Sequence, residues 1–280
     1  MTAVRVRVPA TSANLGPAFD CAGLALTRHD VLEFAETGSG LVVEVSGVGA
    51  GELPTDESHL VVRAFRAACG ELGWSPAGLR VVAAWALCPD VEAVDPDAVL
   101  RLTTELEGHP DNVAACLLGG ATLSWMTPEG ARAARLDVAP SVLPVVLVPD
   151  GTLSTHVARG LLPATVPHAD AAHAAGRAAL LVHALTRQPE LLLDATEDRL
   201  HQQQRAAAMP GSLALVDRLR ERGLAAVVSG AGPSLLVLTA GTADLGTVRD
   251  EAPSGWTVLP LDVDHGGARV LEGNPQVSSR

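Results

Sequence analysis

Two short runs concentrate side chains that bind and react instead of filling a core. Val8-Pro9-Ala10-Thr11-Ser12-Ala13-Asn14-Leu15-Gly16-Pro17-Ala18-Phe19-Asp20 follows the alternating residues Val4 to Val8 and loads small polar groups, an amide, a glycine and an acid into what reads as one tight turn. Glu107-Gly108-His109-Pro110-Asp111-Asn112-Val113 is a polar knot of two acids, an imidazole and an amide. Asparagine occurs only at 14, 112 and 274, so two of the three stand in these runs, which marks them as residues with a task. Farther along, Arg159 and Arg205 carry planar guanidinium forks suited to a carboxylate. Each residue has a plainer role when taken singly. Asn14 and Asp20 could cap a turn, Asp111-Asn112 could start a helix, and the arginines could be solvated helix charges.

The elements that must position these groups can be read from periodicity. Val4 to Val8, Leu26 to Ala35 and Leu41 to Val45 read as strands, the last two joined by the turn Gly38-Ser39-Gly40. Ser58 to Leu72 has helical spacing, with Leu60, Ala64, Ala67 and Ala68 on one face and Gly73 as the stop. Leu79 to Leu87 reads as a strand, and Asp95-Pro96 opens a helix running to about Glu107, with proline at the first helical position. Strands follow at Ala121 to Trp125 and Leu143 to Pro149, and helices at Thr155 to Leu162, Ala169 to Thr186 and Ser212 to Arg222. Ala225 to Leu238 is a strand-turn-strand around Ser229-Gly230-Ala231-Gly232-Pro233-Ser234. A helix near Ala243 to Glu251, a strand near Thr257 to Leu261 and a mobile tail from Gly266 complete an α+β pattern. Prolines between Leu136 and Pro144 suggest a boundary, with lobes at residues 1–138 and 139–280.

Composition narrows the chemistry. A net charge of -12 over 280 residues argues against nucleic acid or an anionic membrane as partner. No apolar run has the length of a membrane span and the start lacks a signal-type segment, so a cytoplasmic protein is expected. Cys21, Cys69, Cys88 and Cys116 are far apart and read as reduced, mostly buried residues, not as a disulfide scaffold, a zinc site or a nucleophile. The chain has no lysine, which excludes a lysine Schiff base and a phosphate loop ending in Gly-Lys-Ser/Thr.

Taken together and in order, the runs 9–20, 107–114 and 229–234 resemble the three motifs of the GHMP kinases, and most nearly those of the homoserine kinases. The similarity extends through Leu153-Ser154-Thr155-His156-Val157-Ala158-Arg159 and Glu197-Asp198-Arg199-Leu200-His201-Gln202-Gln203-Gln204-Arg205. The resemblance implies a two-lobed fold with an N-terminal ribosomal-protein-S5-like lobe and a C-terminal ferredoxin-like lobe. It implies transfer of the ATP γ-phosphoryl group to the side-chain hydroxyl of L-homoserine, a step of threonine biosynthesis, with Mg²⁺ as cofactor and a possible homodimer. By the same resemblance Arg159 and Arg205 hold the substrate carboxylate and Asp20 its ammonium. Asn14, Asp111 and Asn112 surround the hydroxyl, Thr155 stands near the phosphoryl group, and Glu107 is the magnesium ligand. His109 braces its loop, and Gly230, Gly232 and Ser234 form the glycine loop.

The chain also departs from that family. A loop of the type Gly-Leu-Gly-Ser-Ser-Ala-Ala normally follows the strand at Leu79 and holds the ATP phosphates on backbone N–H groups and a helix N-terminus. Here Ala84-Trp85-Ala86-Leu87-Cys88-Pro89 runs straight into Asp90-Val91-Glu92-Ala93-Val94-Asp95-Pro96, so the N-terminal lobe is shortened and its loop is missing. His59 replaces an asparagine near the adenine, His156 a lysine, Ala18 a glycine and Gln204 a tyrosine. Two further readings follow: an enzyme acting on homoserine, O-phosphohomoserine or a related amino acid without ATP, and an inactive pseudokinase.

Overall fold

The structure, a computed structural model, describes residues 3–47, 50–81 and 95–271. In chain order the elements are β1 (Val4–Ala13), β2 (Ala22–Thr37), β3 (Gly40–Val43), α1 (Leu60–Glu71), β4 (Gly78–Val81), α2 (Pro96–Glu107), α3 (Asp111–Leu118), β5 (Ala121–Thr127) and β6 (Gly130–Leu136). There follow β7 (Leu143–Val148), α4 (Thr155–Gly160), α5 (His168–Thr186), α6 (Leu192–Ala195), α7 (Pro210–Glu221), β8 (Ala225–Val228), β9 (Leu235–Thr239), α8 (Leu245–Glu251), β10 (Thr257–Pro260) and β11 (Arg269–Leu271). The expected α+β class holds.

The first sheet runs β11-β1-β2-β4-β3, with β5 added on β2 and β6 on β5. The second is antiparallel, in the order β10-β7-β9-β8. β7 reads as a continuous apolar run because both of its faces are covered: Val145 and Leu147 join one core and Val146 packs on the other. The larger core joins Leu24 and Leu26 of β2 to Leu181 and Leu185 of α5 and to Leu236 and Leu238 of β9. Each such fully buried leucine contributes about 1.5–3 kcal/mol. Among the described residues, no helix is long and apolar enough to cross a membrane.

Several local expectations change in three dimensions. The turn at residues 38–40 joins β2 to β3 without making a hairpin, because β4 inserts between them and pairs antiparallel with β2 and parallel with β3. α1 buries Val62, Phe65, Ala68 and Cys69, while Leu60 is 53% exposed. Phe65 stacks on Phe34 of β2, so two aromatic rings outweigh the alanine stripe in setting the buried face. β1 extends past Val8 to Ala13, and the register shifts between Pro9 and Ala10. Helix α3 starts at Asp111, where Asp111-Asn112 offered a helix start as the plainer reading, whereas strand β6 carries too little periodic signal to be read in advance. By contrast α2 begins and ends where the sequence places it: the Asp95 side chain accepts the Asp97 N–H and Gly108 caps the end at φ 91°. The expected strand beyond Val81 and the stretch in which the phosphate loop is expected to be missing lie outside the described residues.

The segment from Gly266 is not a loose tail as far as Leu271. Asp264, buried, accepts Nε2–H of His29 at 2.6 Å and the N–H groups of Gly266 and Gly267, each at 2.8 Å. This knot seats Gly267 against Leu117 and Gly119, where an added Cβ would come within 2.3 Å of a backbone oxygen, and it leads into β11 on β1. It thereby anchors the end of α3, the helix that carries Asp111. The hydrogen bonds hold the Asp264 carboxyl below its ordinary pKa even though burial opposes them. A carboxylate with a depressed folded pKa stabilises above its unfolded value, and that contribution is lost as pH falls through the folded value. Asp264→Ala is therefore expected to cost about 2–4 kcal/mol at neutral pH, with the difference from wild type shrinking in acid. Urea unfolding at two pH values checks this, and equal midpoints at neutral pH would exclude it.

Candidate active site

Five chain segments close around a small cleft of about 50 Å³ lined by Asn14, Asp20, Glu107, His109, Asp111, Asn112, Thr155, Arg159, Arg205 and Gly230, together with Ala13 and Ala231. Every residue expected at the site lines this cleft except Gly232 and Ser234.

The first wall is the turn after β1. Asn14, Leu15 and Asp20 adopt φ of 71°, 47° and 57°, a left-handed conformation that non-glycine residues enter at a cost of roughly 1–2 kcal/mol each. Ala18 is not among the positive-φ residues, so the absence of glycine there strains nothing. The turn is held by its own amide: Asn14 Oδ1 accepts the Asp20 N–H at 2.9 Å and Asn14 Nδ2 donates to the Gly230 carbonyl at 2.9 Å. Asn14 thus spends both ends of its side chain on bracing. The glycine loop is the other half of that brace. Gly230 N–H donates to the Ala13 carbonyl and Gly232 N–H to Ser229, while the Ser12 and Ser229 hydroxyls meet at 2.8 Å. Gly232, at φ 84°, has no room for a Cβ against the Met209 sulfur.

The second wall is the start of α3. Asp111 is 2% exposed, and its Oδ1 accepts the Asn112 N–H at 2.9 Å and a bond from His109 Nδ1 at 3.2 Å. Its Oδ2 makes no hydrogen bond among the described residues. Burial raises the Asp111 pKa, and the nearby Asp20 adds to the rise. Asn112 accepts from the Thr11 hydroxyl at Oδ1, which leaves its Nδ2 toward the cleft. The helix comes this close to β2 because residue 23 is glycine: a Cβ there would lie 2.3 Å from the Asp111 carbonyl oxygen and 2.9 Å from the Ala115 Cβ. Gly23→Ala is expected to cost about 1–3 kcal/mol and, by shifting Asp111, to lower turnover by as much as roughly 100-fold. Denaturant melts and initial rates test this, and a variant unchanged in both would count against it.

The third wall is cationic. Arg159, at the end of α4, forms a two-pronged ion pair with Asp20, Nη2 to Oδ1 at 2.6 Å and Nη1 to Oδ2 at 3.1 Å, which raises the guanidinium pKa. Arg205 is 2% exposed and pairs with no carboxylate among the described residues. It donates to the Ala158 and Gly230 carbonyls and to His201 Nδ1. Burial, and then Arg159, lowers its pKa. Phe19 lies under both guanidinium groups, at 5.5 Å from Arg159 and 5.4 Å from Arg205, a cation–π arrangement for each. Phe19 and His201 are site residues that motif reading passed over. The signal for His201 was its position four residues before Arg205.

Thr155 opens α4 and is exposed on the cleft, as is Glu107. Among the described residues no cluster of three or more His, Cys, Asp or Glu side chains is placed to hold a metal alone. A magnesium ion carried mainly by phosphate oxygens needs one or two carboxylates, and Glu107 on the cleft can supply one. Cys21 stays a thiol: burial raises its pKa, and Asp111 and Asp20 add to it. Cys116 is pushed up to about 11 by burial. His59 serves as the N-cap of α1, accepting the Val61 N–H.

A left-handed turn after the first strand, an acidic helix start, a glycine brace and two arginines on one cleft, carried by this pair of sheets, define a GHMP kinase. Residues 173–257 match the family model described as GHMP kinases C terminal. The chain is 52% identical to the homoserine kinase of Streptomyces avermitilis, with 96% of each chain covered, and 49% identical to that of Clavibacter michiganensis, with 95% of this chain and 93% of the relative covered. The chain belongs to the homoserine kinase family. Its fold is similar to the crystal structure of homoserine kinase from Cytophaga hutchinsonii, with a TM-score of 0.83 at 21% identity over 97% and 98% of the two chains. It is similar also to the L. major mevalonate kinase in complex with R-mevalonate, with a TM-score of 0.58 at 14% identity over 95% and 96%. The alignment with the Streptomyces avermitilis protein spans 293 positions, whereas 96% of 280 residues is about 269, so about two dozen positions have no residue in this chain.

Proposed function

We propose that the protein transfers the γ-phosphoryl group of ATP to the side-chain hydroxyl of L-homoserine. The observation that carries this reading is the Arg205 guanidinium, buried without a carboxylate partner among the described residues, on the same cleft as the free oxygen of Asp111. The 52% identity to a homoserine kinase supports it. Arg205, with Arg159, takes the α-carboxylate in charge-assisted bonds, and Asp20 exchanges part of its pairing with Arg159 for the α-ammonium. The substrate hydroxyl then lies near Asp111 Oδ2 and Asn112 Nδ2.

The hydroxyl oxygen forms the new bond to the γ-phosphorus as the bond from that phosphorus to the β,γ-bridging oxygen breaks. ADP leaves, and the hydroxyl proton passes to Asp111. A buried carboxylate with a raised pKa suits this acceptor role. The rest is positioning and charge stabilisation. Thr155, at the start of α4, is the residue nearest the incoming phosphoryl group in this reading. When bound, Mg²⁺ neutralises phosphate charge, and Glu107 is the residue that would hold it. About two dozen positions aligned in the Streptomyces avermitilis relative have no counterpart in this chain, a total large enough to include a phosphate loop with its helix. Weak ATP binding is therefore expected, because the N–H cradle supplies much of what orients a triphosphate.

Calorimetric titration with homoserine and with Mg-ATP, followed by homoserine-dependent ADP release, tests the proposal. Homoserine binding with ADP release supports it. Homoserine binding with no ADP release at saturating Mg-ATP would sink the kinase activity while leaving the amino-acid site standing.

A further inference from the structure

His201 is fully buried, lies outside the motif residues that touch the cleft, and takes no part in the phosphoryl transfer described above. Both of its ring nitrogens are engaged. Nε2 lies 2.8 Å from the Gly16 carbonyl oxygen, which can only accept, so Nε2 carries the proton. Nδ1 is then a bare acceptor, and it faces Arg205 Nη1 at 3.2 Å. One neutral ring thus bonds the left-handed turn on one side and the buried guanidinium on the other. Burial is the main cause that keeps the ring neutral, lowering its pKa.

The groups facing the ring leave it no other use. Asp198, whose Oδ2 is 3.8 Å from Nε2, already accepts the N–H groups of Leu200, His201 and Gln202. Phe19 leans on the ring at 5.1 Å while lying under Arg205 and Arg159. Arg205 Nη1 has a second contact, the Gly230 carbonyl, which also receives Asn14 Nδ2. The two walls of the cleft therefore meet at two acceptors for the same nitrogen, His201 Nδ1 and Gly230 O.

We infer that His201 is a positioning residue that aims the Arg205 guanidinium at the substrate carboxylate, and that it sets discrimination between a zwitterionic amino acid and one lacking the carboxylate. The inference rests on the amino-acid site proposed above. A guanidinium that loses its acceptor at Nη1 keeps the Ala158 and Gly230 carbonyls but is free to turn about them, and the fork that must meet a carboxylate edge-on is no longer fixed.

Two substitutions separate the halves of the ring. His201→Asn can place an amide oxygen near the position of Nδ1 and keep the acceptor for Arg205. His201→Gln can place an amide N–H near the position of Nε2 and keep the bond to Gly16. Affinities are measured by calorimetry for L-homoserine and for L-homoserinamide, which lacks the carboxylate, together with melting temperatures. His201→Gln is expected to bind homoserine about tenfold more weakly, the loss of one charge-assisted bond, with affinity for the amide changed less than twofold. His201→Asn is expected to restore most of the preference for homoserine.

Equal losses for both ligands would assign His201 a purely structural role and overturn the inference, as would wild-type selectivity in His201→Gln. If His201→Gln does not fold, His201→Asn decides: retained selectivity supports the inference and lost selectivity overturns it. A wild-type protein that binds no homoserine overturns the amino-acid site and the inference with it. Wild-type binding combined with unchanged selectivity in the variants overturns the inference alone.

Discussion

Arg205→Ala is expected to weaken L-homoserine binding by roughly 10²–10³-fold while leaving the protein folded. Truncating one partner of a buried charge pair costs about 2–5 kcal/mol, which corresponds to roughly 30-fold to several thousand-fold in affinity. The fold is less exposed to the change because Arg205 is itself a burden: it is 2% exposed and without a carboxylate, and burial lowers its pKa. Removing it relieves that desolvation while stranding the Ala158 carbonyl and His201 Nδ1, and these two terms oppose one another. The Gly230 carbonyl keeps its bond from Asn14, so the brace between the turn and the glycine loop survives. Arg205→Lys is expected to recover little, because an ammonium cannot serve three acceptors and a carboxylate from one point. Calorimetry on both variants reads the effect. Homoserine affinity within threefold of wild type in Arg205→Ala would remove this residue from the substrate site.

Asp111→Asn has the largest expected effect on turnover, a loss of roughly 10²–10⁴-fold, with homoserine affinity nearly unchanged. The amide keeps an oxygen for the Asn112 N–H and the His109 ring but cannot take a proton from the hydroxyl. The same substitution is expected to raise the melting temperature at neutral pH. The Asp111 pKa is raised in the folded protein, chiefly by burial, so the folded state binds that proton more tightly than the unfolded chain. Its ionisation therefore destabilises the fold as pH rises from the ordinary carboxylate range through the raised value, and the full penalty stands above it. The advantage of asparagine should shrink in acid, opposite in sign to the Asp264 contribution. Melting curves across pH with initial rates at saturating substrate decide it. A variant that keeps wild-type turnover would show that Asp111 does not accept the proton.

Much of the site was legible because motif order and helix punctuation are local. Asp95-Pro96 marked the start of α2 and the pattern ran to about Glu107, as observed, and the paired scarcity of Asn14 and Asn112 pointed at the cleft. The roles of individual groups were not legible. Asn14 reads as a hydroxyl ligand by resemblance, yet both ends of its amide are engaged, one by Gly230, 216 residues away. Asp20 and Arg159 read as separate ligands for two substrate charges, and they meet each other across 139 residues. His201 carried a spacing clue, but its bond to Gly16 spans 185 residues, which no periodicity records.

The sequence by itself determined the class of the protein, the α+β alternation, the order of the motifs, and the exclusion of lysine-based chemistry. Local physics is enough for these, since a proline at a helix start, a glycine at its end and an alternating strand act over a few residues. Only the tertiary structure decided that β4 separates β2 from β3, that β11 returns to the first sheet through Asp264, and that an imidazole stands behind Arg205. Each of these depends on which buried polar group finds a partner after distant segments pack. That outcome is set by desolvation and close approach, as where Gly23 lets α3 lie against β2, and by nothing that neighbouring residues along the chain can specify.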